Sequence, residues 1–295
     1  MNAVSRWFDH HMSKLALAPS LVLVTVGVYG FIAFTTVLSF TGSKMLPNLQ
    51  NWVGLLQYQR LWANPRWQVA VENFAVFSAL YIGLTLVAGL LLAILLDQKV
   101  RAEGALRAIY LYPMSISFIV TGVAWQWLMS PDLGLEKAFH TWGYTSLRFD
   151  WIKDERMALY CVVIAGLWQA TGFVMALFLS ALRGINPEII SAARIDGAGG
   201  VQIYRHVVVP ALRPALLTAL VVQAHLSIKS YDLVIALTRG GPGYATELPS
   251  TFMYGFTFSR NEMALGSASA VVMLCTLAAV IVPYLATELK HDRAR

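Results

Sequence analysis

The chain is predicted to be an all-α, polytopic membrane protein with six transmembrane helices, and three observations carry that prediction. Six apolar segments are each long enough to cross a hydrocarbon core, which takes about 20 helical residues. The composition is 57% hydrophobic and only 13% charged, above and below the respective shares of ordinary soluble domains. Lys and Arg are concentrated in alternate connecting segments, as the positive-inside rule requires. All 295 residues are read as one transmembrane domain, without internal repeat or low-complexity stretch.

The first span is placed at residues 15–40. Arg6 and Lys14 precede it, but the apolar run is too long for a signal peptide and further spans follow, so it is read as retained. Residues 47–66 mix polar and aromatic side chains, among them Asn48, Asn51, Trp52, Tyr58 and Trp62, in the manner of interface anchors. The second span covers 74–96. The third, 106–128, carries Pro113 among Tyr110, Tyr112 and Ser115, which predicts a kink. Residues 131–156 hold four basic and five acidic residues and should form a small external cap. The fourth span is 157–182.

Residues 186–210, NPEIISAARIDGAGGVQIYRHVVVP, interrupt the apolar pattern. Asn186 is an N-cap, Pro187 suits the first helical position and Glu188 favours the positive end of the helix dipole. Ile189, Ala192 and Ala193 recur at helical spacing and leave Arg194 off their face. Gly197–Gly200 should end that helix by flexible or left-handed backbone, and Val201, Tyr204, Val207 and Val208 then mark a second helix up to Pro210. A two-helix hairpin at the membrane surface results.

The fifth span is placed at 216–237 and the sixth at 267–286. His225, Lys229 and Asp232 fall one turn apart in the fifth. Ionisable groups within a span either face a water-filled cavity or neutralise one another, and both readings stay open here. Cys161 and Cys275 lie inside apolar segments, lack metal or redox spacing, and are read as buried free thiols.

With both termini in the cytoplasm, the inside segments hold 12 Lys and Arg in 64 residues and the outside segments 9 in 87, about twice the density inside. The net charge of +6 contains no basic run, so lipid head groups account for it better than nucleic acid does. Gly240–Gly243 is no phosphate loop, because no Gly-Lys-Ser/Thr follows it, and no such element occurs elsewhere. The six histidines form no metal or triad grouping. No catalytic residue, metal site or bound cofactor is predicted, and the chain should not hydrolyse ATP itself.

Ser191-Ala192-Ala193, Gly197 and Val207-Val208-Val209-Pro210 resemble the EAA motif of ABC importer permeases: Glu-Ala-Ala, three residues, Gly, nine residues, Ile-x-Leu-Pro. The spacing fits without a gap. Ser191 stands where the family usually has Glu, Val207 and Val209 replace Ile and Leu, and Glu188, one turn earlier, is a candidate for the missing carboxylate. Trp168, Thr171, Gly172, Leu182 and Ile185 follow the pattern of carbohydrate importer permeases, as does Tyr231-Asp232 ahead of Leu237-Thr238-Arg239-Gly240-Gly241-Pro242. Gly266-Ser267-Ala268-Ser269-Ala270 resembles the start of that family's last span.

The resemblance implies the type I ABC importer permease fold and a transmembrane subunit of a sugar importer, the glucose and mannose type being most similar. Glu188, Ser191, Ala192, Ala193, Asp196, Gly197 and Pro210 would couple to a cytoplasmic ATPase, and His225, Lys229, Tyr231 and Asp232 would line the substrate path. The implied partners are a second permease, an ATPase dimer carrying ATP and Mg, an external sugar-binding protein and membrane lipid, in a bacterial inner membrane. A proton-coupled carrier would want acidic or His relays in several spans, where only the fifth offers one. A membrane-embedded transferase would want paired carboxylates in its loops, and a non-catalytic membrane scaffold is a further alternative.

Overall fold

The computed structural model describes residues 12, 17–98, 100–144, 146 and 148–293. Arg6, Lys14, Lys99 and Arg295, which enter the predicted orientation, lie outside them. The described residues are nearly all helical, and their β pairing is an isolated bridge between Thr41 and Trp52. They fall into two compact units. Residues up to Ala63 with Met253–Val272 make one, and Asn64–Phe252 with the residues from Met273 onward make the other.

In the first unit, α1 (Leu17–Ser39) crosses with a π-helical stretch at Thr25–Gly30, and only 6% of its apolar stretch is buried. The chain then folds back through Val53 N–H to Phe40 O (2.9 Å) and Gly42 N–H to Asn51 O (2.8 Å) before α2 (Leu56–Trp62). The carbonyls of Ser43 and Lys44 accept from Ala264 and Met263, which satisfies first-turn amides of the last long helix.

The second unit is built around α7 (Ala158–Arg183), of whose apolar stretch 61% is buried. Against it pack α3 (Pro65–Asp97), capped by Asn64 accepting from Arg66 N–H at 3.0 Å, and α4 (Glu103–Leu111). Lipid supplies no hydrophobic force between spans, so close packing through small residues has to hold them. Phe77, Tyr81, Val162, Ala165, Leu233 and Val234 make one core cluster, and Ala93, Val174, Met175, Phe178 and Leu182 belong to another.

The kink predicted at Pro113 is a full break. After α4 a 3₁₀ turn, Tyr112–Ser115, leads into α5 (Phe118–Leu128), and the two halves meet at 102°. Pro113 has no N–H to continue the ladder, and Ser117, in extended backbone, starts the new helix by accepting from Val120 N–H. A broken helix in lipid needs partners for its freed carbonyls. Gln169 of α7 supplies one, donating from Nε2 to Ile116 O at 2.6 Å.

Beyond the cap segment, which contains α6 (Leu135–Thr141), and beyond α7 lie the hairpin helices α8 (Pro187–Ile195) and α9 (Gly200–Ala211). They are followed by α10 (Arg213–Ile228), α11 (Tyr231–Leu237), α12 (Pro249–Tyr254) and α13 (Met263–Arg293). The fifth span predicted at 216–237 is corrected once. The 63° bend between α9 and α10, where Pro214 stands in the first helical turn, lies ahead of it, but within it the helix breaks at Lys229–Ser230. Ser230 Oγ donates to Leu226 O at 2.9 Å, so a side chain competes for the carbonyl that backbone would use. Among the described residues four helices are long and apolar enough to span a membrane, and the number is six if each bent pair is one span. Cys161 is buried as expected, but Cys275 is exposed, because it falls on an outward side of α13.

Candidate functional site

The hairpin at 186–210 forms as its residues dictate. Asn186 Oδ1 accepts from Glu188 N–H at 3.0 Å with Pro187 at the first helical position, and Asn186 Nδ2 reaches Glu188 Oε2 at 3.3 Å. At the other end of α8, Gly197 sits at φ +81°, its N–H donates to Arg194 O (3.1 Å), and Ala198 N–H donates to Ala193 O (3.0 Å). That pair of bonds is a Schellman cap, which wants glycine at the left-handed position. Among the four glycine-region residues expected to turn the chain, Gly197 does so by left-handed backbone. Gly199, with its N–H on Gln202 Oε1 at 2.9 Å, instead starts α9.

The apolar face of α8 differs from the one that periodicity predicted, whereas that of α9 forms through Tyr204, Val207 and Val208 as expected. Ile190, Ala193, Ala198 and Ile203 join them in one apolar cluster with Val174, Phe178 and Leu182 of α7. Ile189 and Ala192 point outward, as do Ile195 and Val201, which are 86% and 83% exposed. The Ile189-Ile190 doublet fits two helical registers one residue apart, and packing against α7 chooses the second. The hairpin therefore presents a second apolar surface that no other described residue covers.

Around that surface the other predicted residues take defined places. Ser191 is exposed and spends its hydroxyl on Pro187 O at 2.9 Å, a bond within its own helix. Glu188 is exposed one turn before it, Asp196 caps the C-terminal end of α8, and Pro210 is half-buried in α9. Sequence reasoning missed the hairpin's foot. Arg183, the last residue of α7, holds Glu103 Oε1 at 2.8 Å and Asp97 Oδ1 at 3.7 Å, and Gln98 Nε2 reaches Tyr204 Oη at 3.4 Å. A cleft of about 390 Å³ lies beside it, lined by Asp97, Ile190, Arg194 and Tyr204 among others. Charges clustered at three span ends were the available signal.

The break divides the fifth-span residues between two helices. His225 is exposed on α10, Lys229 is exposed at its C-terminal cap, and Tyr231 and Asp232 open α11, with Asp232 exposed. No ion pair joins Lys229 to Asp232 among the described residues. The backbone is held by Tyr231 N–H to Lys229 O at 2.7 Å. Leu233, Val234 and Leu237 anchor α11 in the core, and Gly122 of α5 lets the two helices meet. A Cβ there would stand 2.5 Å from that of Ala236.

Comparison with known proteins adds the family. Residues 85–291 match the model described as binding-protein-dependent transport system inner membrane component. A probable ABC transporter permease protein of Pyrococcus horikoshii is 38% identical over 279 residues, 94% of this chain and 96% of that one. The xylose/arabinose import permease protein of Haloferax volcanii is 32% identical over 274 residues, 92% of this chain and 86% of the relative. In fold, a bacterial ABC transporter involved in the import of the acidic polysaccharide alginate superposes with a TM-score of 0.82 at 17% identity, all of both chains covered. With 207 consecutive residues matched and two relatives above 30% identity over most of their length, this chain belongs to the family of inner membrane components of binding-protein-dependent transport systems.

Proposed function

We propose that the chain is one transmembrane subunit of an ABC importer for a sugar, forming half of the path and passing the work of ATP hydrolysis to it through the 186–210 hairpin. The observation that carries this is the uncovered surface: Ile189, Ile195 and Val201 are large, apolar and exposed on a polar hairpin whose other face is already packed. A soluble ATPase subunit supplies the missing cover. In this reading the hairpin and both termini face the cytoplasm, and the chain has no ATPase activity of its own. ATP and Mg belong to a pair of partner ATPase subunits.

A second permease completes the path, and an external binding protein delivers the sugar. Ser191 makes no contact with the ATPase through its own hydroxyl, and Glu188 supplies the carboxylate instead. His225, Lys229, Tyr231 and Asp232 face the path. The sugar assignment is supported by the xylose/arabinose permease among the relatives, while glucose and mannose come from the sequence resemblance alone. The test is to co-express the chain with its ATPase and second permease as wild type, Ile195→Asp and Val201→Asp. Both substitutions should leave the chain in the membrane and abolish co-purification of the ATPase; full retention of the ATPase in both removes the hairpin from the interface. Competition of labelled glucose uptake by mannose, xylose and arabinose then ranks the sugars.

A further inference from the structure

The first unit contains a charged cleft of about 520 Å³ that the transport reading leaves unused, with Lys44, Gln57, Arg60, Arg260 and Glu262 on its walls. Its charges do not balance. Arg60 is committed, at 3.0 Å from Glu262 Oε2 and 3.3 Å from Gln57 Oε1. Lys44 and Arg260 have no ion-pair partner among the described residues, and the Arg260 guanidinium lies 4.6 Å from the centroid of the Phe256 ring. The first-turn amides of α13 are taken by the Ser43 and Lys44 carbonyls, so the positive potential comes from the side chains.

Position selects the ligand. The cleft stands just after the end of α1 and just before the start of α13, both long and apolar enough to span, so it lies at the depth of lipid head groups. Met45 and Leu56 line it and are 69% and 46% exposed, and Leu46 beside them is also exposed. A soluble acidic partner is met by a polar rim, whereas exposed cations beside exposed apolar side chains match a molecule with an anionic head and hydrocarbon tails. The bare apolar flank of α1 gives those tails a place to run.

We propose that this cleft holds the head-group phosphate of an anionic phospholipid between Lys44 and Arg260. Phosphatidylglycerol is the probe. The purified full chain is examined by native mass spectrometry with phosphatidylglycerol, phosphatidylcholine and soluble glycerol phosphate, as wild type, Lys44→Gln, Arg260→Gln and the double variant. Lys153→Gln, exposed and remote in sequence, is the control. Phosphatidylglycerol should be retained in preference to phosphatidylcholine, and each charge removed should lower its retention about fivefold, with no loss in the control. The charge-conserving Lys44→Arg/Arg260→Lys variant should retain it, which separates lost charge from lost fold. The proposal is overturned by unchanged retention in the double variant, by equal loss in the charge-conserving one, or by glycerol phosphate binding as tightly as the lipid. It is also overturned if the double variant keeps its lipid but loses stimulation by the external binding protein, since the two cations would then serve a protein.

Discussion

Replacing Gly197 isolates the hairpin turn from everything else the hairpin does. The residue sits at φ +81°, and no atom lies within 4 Å of where its Cβ would be, so a substitution meets no clash. What remains is backbone strain. A Cβ in left-handed conformation costs roughly 1–2 kcal/mol, which is about a 5- to 30-fold shift in the local equilibrium away from the turn. Asn tolerates the region best among side chains, Ala carries the ordinary cost, and a β-branched residue exceeds it. The two cap bonds, Gly197 N–H to Arg194 O and Ala198 N–H to Ala193 O, are lost together when the turn opens. In the assembled complex, sugar-stimulated ATP hydrolysis should therefore fall in the order Gly, Asn, Ala, Val, with membrane abundance unchanged because the site is exposed. Full stimulation in Gly197→Val would refute the reasoning, and so would an Asn variant no better than Val.

Gly122→Ala should lower the thermal midpoint of the detergent-solubilised chain, at a cost of about 1–3 kcal/mol for overpacking α5 on α11, and Ala236→Gly should restore part of it; no change would mean the contact yields freely. Lys229→Met and Asp232→Asn should each leave complex abundance intact and reduce sugar uptake, because both side chains are exposed and unpaired with each other. A double variant that transports like wild type would make the pair structural. Reporter fusions after Gly184 and after Arg295 should both report the cytoplasm, and an external signal from either would sink the orientation.

Much of the fold was legible because a span is a coarse object. Length and apolarity alone locate α1, α3, α7 and α13, since in lipid every backbone group must be satisfied within its own helix. Helix starts were legible at Asn186-Pro187, where cap and proline act within three residues. The breaks were not equally visible. Pro113 announces one, but the freed Ile116 carbonyl is met by Gln169 of another span, 53 residues further on, and only folding shows that. The break at Lys229–Ser230 has no proline or glycine to mark it, and a serine hydroxyl bonding its own helix is a weak sequence signal. A periodicity argument that ran through that point placed Lys229 and Asp232 on one helical face that does not exist.

The outward surfaces left by this error and by the Ile189–Ile190 ambiguity carry information about what lies next to the chain. Side chains on α1 are exposed because lipid covers them, and nothing polar is asked of that surface. Ile195 and Val201 are exposed at the tip of a polar hairpin, where lipid is not the expected cover and water is unfavourable: burying two such side chains is worth about 1.5–3 kcal/mol each. Lys229 and Asp232 are exposed at a helix break deep in the apolar part of the sequence, where neither lipid nor a partner's apolar face would suit them. One chain thus displays three kinds of open surface, hydrocarbon-like, apolar within a polar setting, and charged within an apolar setting. Each calls for a different neighbour: lipid, a soluble protein, and water or sugar. In the proposed assembly a permease carries all three, and the second of them is the one that a self-sufficient carrier would have no reason to keep.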